Sequence, residues 1–393
     1  MPFRRAASIF AWVVALATTA VILARNADLP PIPAVTLVRT PQGGIQPQTA
    51  LDVHGVLHMI YFKGDASAGD IEYVRREPGA NEFSEPMRVN SDPMDALAVG
   101  TVRGPQMAVG RGGRVYVVWF AADRAKIRGP KGATPVLFSR LNDAGTAFEP
   151  ERNLMQYAQG VDGGLSVAAD NQGDVYVVWH AMGEMAGEAN RRVYLAPSTD
   201  DGKTFTRETP ISPARLGACG CCGMRAFVDS TGTLYVLYRA AGEGIHRDMS
   251  LLVSRDRGRT FRDARVAAWQ LNACPMTTDY LSEGGGQVLA AWETAGEVYF
   301  DEIQPGSLDL SRAVAAPGEP TDRKHPAVAR NVHGQVLLAW TEGTGWNKGG
   351  TLAWQLFDAQ GKVAGVEGHA PGVPIWGLPS VFTDRRGNFT IVY

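Results

Sequence analysis

Charge of one sign is what this sequence lacks first. Lys and Arg number 38 against 40 Asp and Glu, for a formal net charge of -2, and no long basic run occurs. That excludes a chain built to hold nucleic acid or an anionic membrane surface. Cysteine is scarce, at four in 393 residues, so this is not a small disulfide scaffold. The Gly-x-Ser-x-Gly elbow, the Walker loop, the dinucleotide fingerprint and the Cys-x-x-Cys-His haem attachment are all missing. Beyond residues 6–24 no apolar run is long enough to span a bilayer.

That one apolar stretch follows Arg4 and Arg5 and precedes the proline-rich Leu29-Pro30-Pro31-Ile32-Pro33. Residues 1–33 therefore read as a secretory signal or retained membrane anchor with a linker, and 34–393 as a single domain. Export to a periplasm or cell surface is expected, with a possible tether through residues 6–24.

Glycine is abundant, at 45 residues, and Val, Tyr and Trp fall in short runs, as in a chain of many strands and tight turns. One phrase recurs: a short apolar segment, a glycine turn, then an apolar strand ending in an aromatic. It is PQMAVGRGGRVYVVW at 105–119, LSVAADNQGDVYVVW at 165–179 and HPAVARNVHGQVLLAW at 325–340. The terminal aromatics Tyr61, Trp119, Trp179, Tyr238, Trp292, Trp340 and Tyr393 stand 48 to 60 residues apart. A further strand pair follows in most units. Within VYVVW, Val115, Val117 and Trp119 share one face, and Tyr116 and Val118 the other. Sheets apolar on both faces bury themselves by packing side by side around an axis. The expectation is an all-β propeller of four-stranded antiparallel blades, seven being favoured over six. A strand at 34–39 would complete the last blade and pin the ring.

Two segments fit Ser-x-Asp-x-Gly-x-Thr-Phe: Ser198, Asp200, Gly202, Thr204 and Phe205, then Ser254, Asp256, Gly258, Thr260 and Phe261. In each the carboxylate accepts turn N–H groups and the glycine takes positive φ. These segments resemble the Asp-box, or BNR, repeat of the sialidase-like propellers. In that family the boxes lie away from the active centre, so the resemblance implies fold and not activity. Sialidases proper use three arginines, a Tyr–Glu pair and an Asp. By that resemblance Arg39, in Arg39-Thr40-Pro41, is a candidate substrate arginine, although Thr40 stands where the family has Ile. The chain also looks similar to exported sialidase-like proteins carrying a Cys-x-Cys-Cys segment, here Cys219-Gly220-Cys221-Cys222, with Arg247-Asp248 and Trp269 before Cys274-Pro275.

Propeller ligands bind near the axis where loops converge. The residues just after the repeated aromatics include His180, Arg239 and Glu293 in consecutive units. They read as a polar ligand site with an anion-binding arginine, or as an ion-pair network holding the ring. Glu293, Asp248 and Asp279 are the candidate catalytic carboxyls, since glycoside hydrolysis needs two. Arg247 joins the candidate ligand-binding residues. Cys219, Cys221, Cys222 and Cys274 admit two disulfides, or a copper or zinc site with His246 or Met224 helping, or free thiols. Trp346 and Trp376, in glycine- and proline-rich loops, are candidates to stack on a sugar. Three functions stay open: a binding or assembly module for a glycan or an exported or membrane protein, a sialidase-type hydrolase, and a metal or redox protein.

Overall fold

The computed structural model describes Met1 and residues 31–393, except 184, 243, 244, 306, 307 and 321. The expected signal or tether at residues 6–24 lies outside the described residues. Among those described there is no α-helix, and Pro33–Tyr393 forms one compact unit.

The strands form seven sheets. Blade one holds Ile45–Leu51, Leu57–Asp65, Ala68–Arg76 and Met87–Arg88; blade two holds Gln106–Val109, Val115–Phe120, Val136–Arg140 and Arg152–Asn153. Blades three, five and six repeat this antiparallel order, beginning at Leu165–Ala169, Asp279–Gly284 and Arg323–Arg330. Blade four, beginning at Met224–Val228, gains a short extra strand, Gly217–Ala218, beside Leu234–Ala241. The first strands of successive blades touch all the way round, blade seven's meeting blade one's.

The repeated aromatics explain why the blades stack. Val115, Val117 and Trp119 pack with Ile60 and Phe62 of blade one. Tyr116, Val118 and Phe120 pack with Val175, Val177 and Trp179 of blade three. One strand thus serves two cores, which the alternation within VYVVW requires. Trp119, Trp179 and Trp292 are fully enclosed.

The ring closes where expected, with one difference. Val35–Val38 joins blade seven, but it runs parallel to Phe389–Val392, and that blade has three strands. Thr40 N donates to the Tyr393 carbonyl at 3.0 Å, completing the clasp.

The two Ser-x-Asp turns are built alike. Asp256 Oδ1 accepts from Thr260 N at 2.9 Å and Oδ2 accepts the Thr260 hydroxyl at 2.6 Å. Asp200 accepts from Thr204 in the same two ways. Both turns lie at the blade periphery, and Phe205 and Phe261 pack against adjacent cores.

Candidate functional site

Each blade's second strand ends on the same face as the start of its first strand, because the two are antiparallel. That places His180, Arg239 and Glu293 on one face with the loops that precede Leu165, Met224 and Asp279. The Cys-x-Cys-Cys segment occupies the loop before Met224. Cys219 N donates to the Arg239 carbonyl at 2.9 Å, Gly223 N to Thr277 O at 2.9 Å, and Gly163 N to Gly220 O at 2.7 Å. Gly220 N also donates to Glu188 Oε1 at 2.9 Å. Blades three and five and their own blade therefore hold the thiol loop from three sides.

All four cysteines are free. The expected disulfides are not formed: Cys219 Sγ stands 3.3 Å from Cys222 Sγ and 3.6 Å from Cys221 Sγ, against a bond length of about 2.05 Å. The loop turns these three thiols inward together, buried against Ala241 and Met276, while Cys274 stays exposed. The Thr277 hydroxyl reaches Cys222 Sγ at 3.5 Å. Burial pushes the Cys222 thiol up, but hydrogen bonding with Cys219 and Cys221, the charge of Arg239 and Thr277 outweigh it and hold it well below the ordinary range. Cys219 is raised by its bonds to the other two. His246 and Met224 do not join the trio: His246 is exposed and pairs with Gln270, and Met224 packs in the core of blade four.

His180 is wholly buried. Its Nε2 donates to the Cys222 carbonyl at 3.3 Å and its Nδ1 has no partner. Burial lowers its pKa to about 4, so the ring is neutral. Gly164 permits this approach. Its φ is +66°, and a Cβ there would lie 2.6 Å from Cys222 O and 2.7 Å from His180 Nε2.

Arg239 does not offer its guanidinium to a ligand. It donates to the backbone carbonyls of Glu293 and, at 3.0 Å, Arg247, and it lies 5.0 Å from the Trp269 ring. His180, Arg239 and Glu293 are close neighbours, yet no ion pair links their side chains. The Glu293 carboxylate instead faces Lys324 Nζ at 3.7 Å through Oε1, and Oε2 has no partner. Burial raises Glu293 to about 7 and Asp279 to about 8, despite the opposing charges of Lys324 and Arg239. Asp279 Oδ1 is likewise unpaired.

The remaining candidates are committed to structural contacts. Asp248 Oδ1 accepts from Trp269 N at 3.0 Å, tying down an outer strand. Arg247 is paired with Glu188 at 2.6 Å. Arg39 is exposed, donates to Gly372 O and Pro371 O at 2.6 and 2.7 Å, and stacks 3.9 Å from the Tyr393 ring, so it clamps blade six to the clasp.

One residue that the sequence reading passed over occupies the axis. Arg225 donates to Gln106 Oε1 at 2.7 Å and to Gln48, and lies 5.0 Å from the Tyr280 ring. A signal was present: Gln48, Gln106 and Arg225 each stand three residues before the end of their blade's first strand. Above Arg225, Asp279, Thr278 and His325 line a cavity of about 30 Å³; below it the channel widens to about 330 Å³ between the first strands.

Trp346 is 59% exposed and meets Trp376 edge to face at 5.9 Å. A Cβ added to Gly100 would lie 2.7 Å from Trp346 and 2.9 Å from Met276, so the aromatic pair adjoins the thiol loop.

No family model and no curated protein matches the sequence. Among solved structures, a protein of unknown function from Dyadobacter fermentans is 15% identical, covering 79% of this chain and 94% of its own, at a TM-score of 0.54. The α-L-arabinanase of Penicillium chrysogenum, complexed with arabinobiose, is 12% identical, covering 84% and 98%, at 0.51. The microbial sialidase Hz136 is 16% identical, covering 79% and 68%, at 0.48. Likeness at this identity shows the fold alone, a β-propeller.

Proposed function

We propose that this chain is an exported, noncatalytic binding propeller that takes a glycan on the loop face beside the axis. The observation that carries the reading is Trp346, a large aromatic left 59% exposed and braced by Trp376. An indole held open in this way offers a flat apolar surface to the C–H face of a sugar ring. Arg103 stands beside Gly100 in the adjoining loop and is anchored to Asp162 at 2.5 Å.

Hydrolysis is the weaker reading. Glu293 and Asp279 are buried, and the cavity that Asp279 lines, about 30 Å³, has room for about one water. Ligand pockets need several hundred Å³. Asp248 is committed to Trp269. Export rests on Arg4, Arg5 and the apolar residues 6–24, as a leader or a tether.

The test is an array of oligosaccharides, arabino- and sialo-oligosaccharides included, probed with the wild-type protein and Trp346→Ala. Binding lost in the variant while the melting temperature holds is the expected result. Wild-type silence across the array, or equal binding by the variant, overturns the reading. Fractionation of tagged full-length protein tests export.

A further inference from the structure

We propose that Cys219, Cys221 and Cys222 form a three-thiolate site for a soft monovalent metal ion, copper(I). This site adjoins the Trp346 surface through Met276 but does not depend on glycan binding there.

The geometry comes first. The three Sγ atoms all lie within 4.8 Å of one another, with two separations of 3.3 and 3.6 Å. Thiolates bound to one ion at roughly 2.3 Å stand roughly 3.8 Å apart in a tetrahedral arrangement and roughly 4.0 Å apart in a trigonal one. To reach the trigonal spacing these two separations need to open by about 0.7 and about 0.4 Å. A bonded sulfur pair would instead have to close by more than an ångström.

The ligand count comes next. Among the described residues Cys274 reaches the Cys221 thiol, but no fourth His, Cys, Asp or Glu lies within 4.8 Å of all three sulfurs. Zinc in a structural site takes four ligands and a tetrahedron, whereas soft thiolate and thioether donors select copper(I). Met276 is packed against the same three cysteines and supplies a thioether neighbour of that kind. Its φ of +50° is unusual for a side chain that is not glycine, so the loop holds it there against a local cost.

Electrostatics and position agree. Arg239, whose carbonyl accepts from Cys219 N and whose Nε stands 3.4 Å from Thr277 Oγ1, offsets thiolate charge. Backbone hydrogen bonds from Cys219, Gly220 and Gly223 fix the loop before any ion arrives. Binding changes no oxidation state: each thiol that ligates releases its proton to solvent, and copper enters and stays as copper(I).

The experiment loads reduced, purified full chain with copper(I) under anaerobic conditions, in competition with a bathocuproine chelator, and counts bound metal. One copper(I) per chain, with a sulfur-only first shell in X-ray absorption at roughly 2.2–2.3 Å, is expected. Cys274→Ser retains the ion. Cys219→Ser and Cys222→Ser weaken binding by more than the roughly 10–100-fold that loss of a supporting contact costs. The absorption spectrum needs no variant, so the proposal stays testable should a buried serine unfold the chain. A nitrogen or oxygen first shell, no binding above the chelator, or an ion held only when Cys274 is present would overturn it. So would preferential retention of zinc.

Discussion

Arg225 of blade four donates to Gln106 of blade two at 2.7 Å, across the centre of the ring. With its bond to Gln48 of blade one, a single guanidinium ties three inner strands and divides the channel into a small upper and a larger lower cavity. Hydrogen bonds to a charged donor contribute about 1.5–3 kcal/mol each when removal leaves the partner unsatisfied. Arg225→Ala is expected to destabilise the domain by about 3 kcal/mol or more in urea unfolding. A variant within about 0.5 kcal/mol of wild type, as at an ordinary surface position, would mean that the channel needs no strut.

The Asp256 turn makes a pH-dependent prediction. The Thr260 hydroxyl, then its N–H, hold the Asp256 carboxyl down to about 2, from an ordinary 3.8. A depressed carboxyl contributes stability that is present above its unfolded pKa and lost as pH falls through the folded one. Asp256→Asn should therefore melt below wild type at pH 6, and the gap should close between about pH 4 and pH 2. Melting curves taken across that window check it; a gap that persists at pH 2 contradicts it.

Asp279 behaves in the opposite sense. Burial raises it to about 8, so the proton binds more tightly to the folded chain. Its contribution is complete below about pH 4 and is lost as pH rises through about 8, with a limiting slope of about 1.4 kcal/mol per pH unit. Asp279→Asn should remove that slope. Denaturant unfolding of both proteins at pH 5 and pH 8.5 reads the difference, and parallel curves would show that Asp279 is charged at neutrality.

Much of the fold was legible because the determining pattern is local. The alternation of Val115, Val117 and Trp119 with Tyr116 and Val118 states which face meets which neighbour, and the structure sends them to blades one and three. The repeated aromatics likewise gave the blade count. The site was less legible because its chemistry depends on where polar atoms end up. Sequence position brings His180, Arg239 and Glu293 to one face, but not the fact that Arg239 spends its donors on the carbonyls of Glu293 and Arg247. Cysteine spacing allowed disulfides, metal or free thiols, and only the turn at Gly220 decides that three sulfurs converge. The clasp strand was foreseen, but its parallel direction depends on how the chain returns, which no local pattern encodes.

The central claim is that this face binds without cutting, because Glu293 and Asp279 are sealed from any sugar. Reducing-end release from arabinan, arabino-oligosaccharides and sialyllactose, followed over hours at pH 5 to 8, tests it most directly. The account predicts release indistinguishable from a buffer control for the wild-type protein. Steady release that disappears in Glu293→Gln would contradict it.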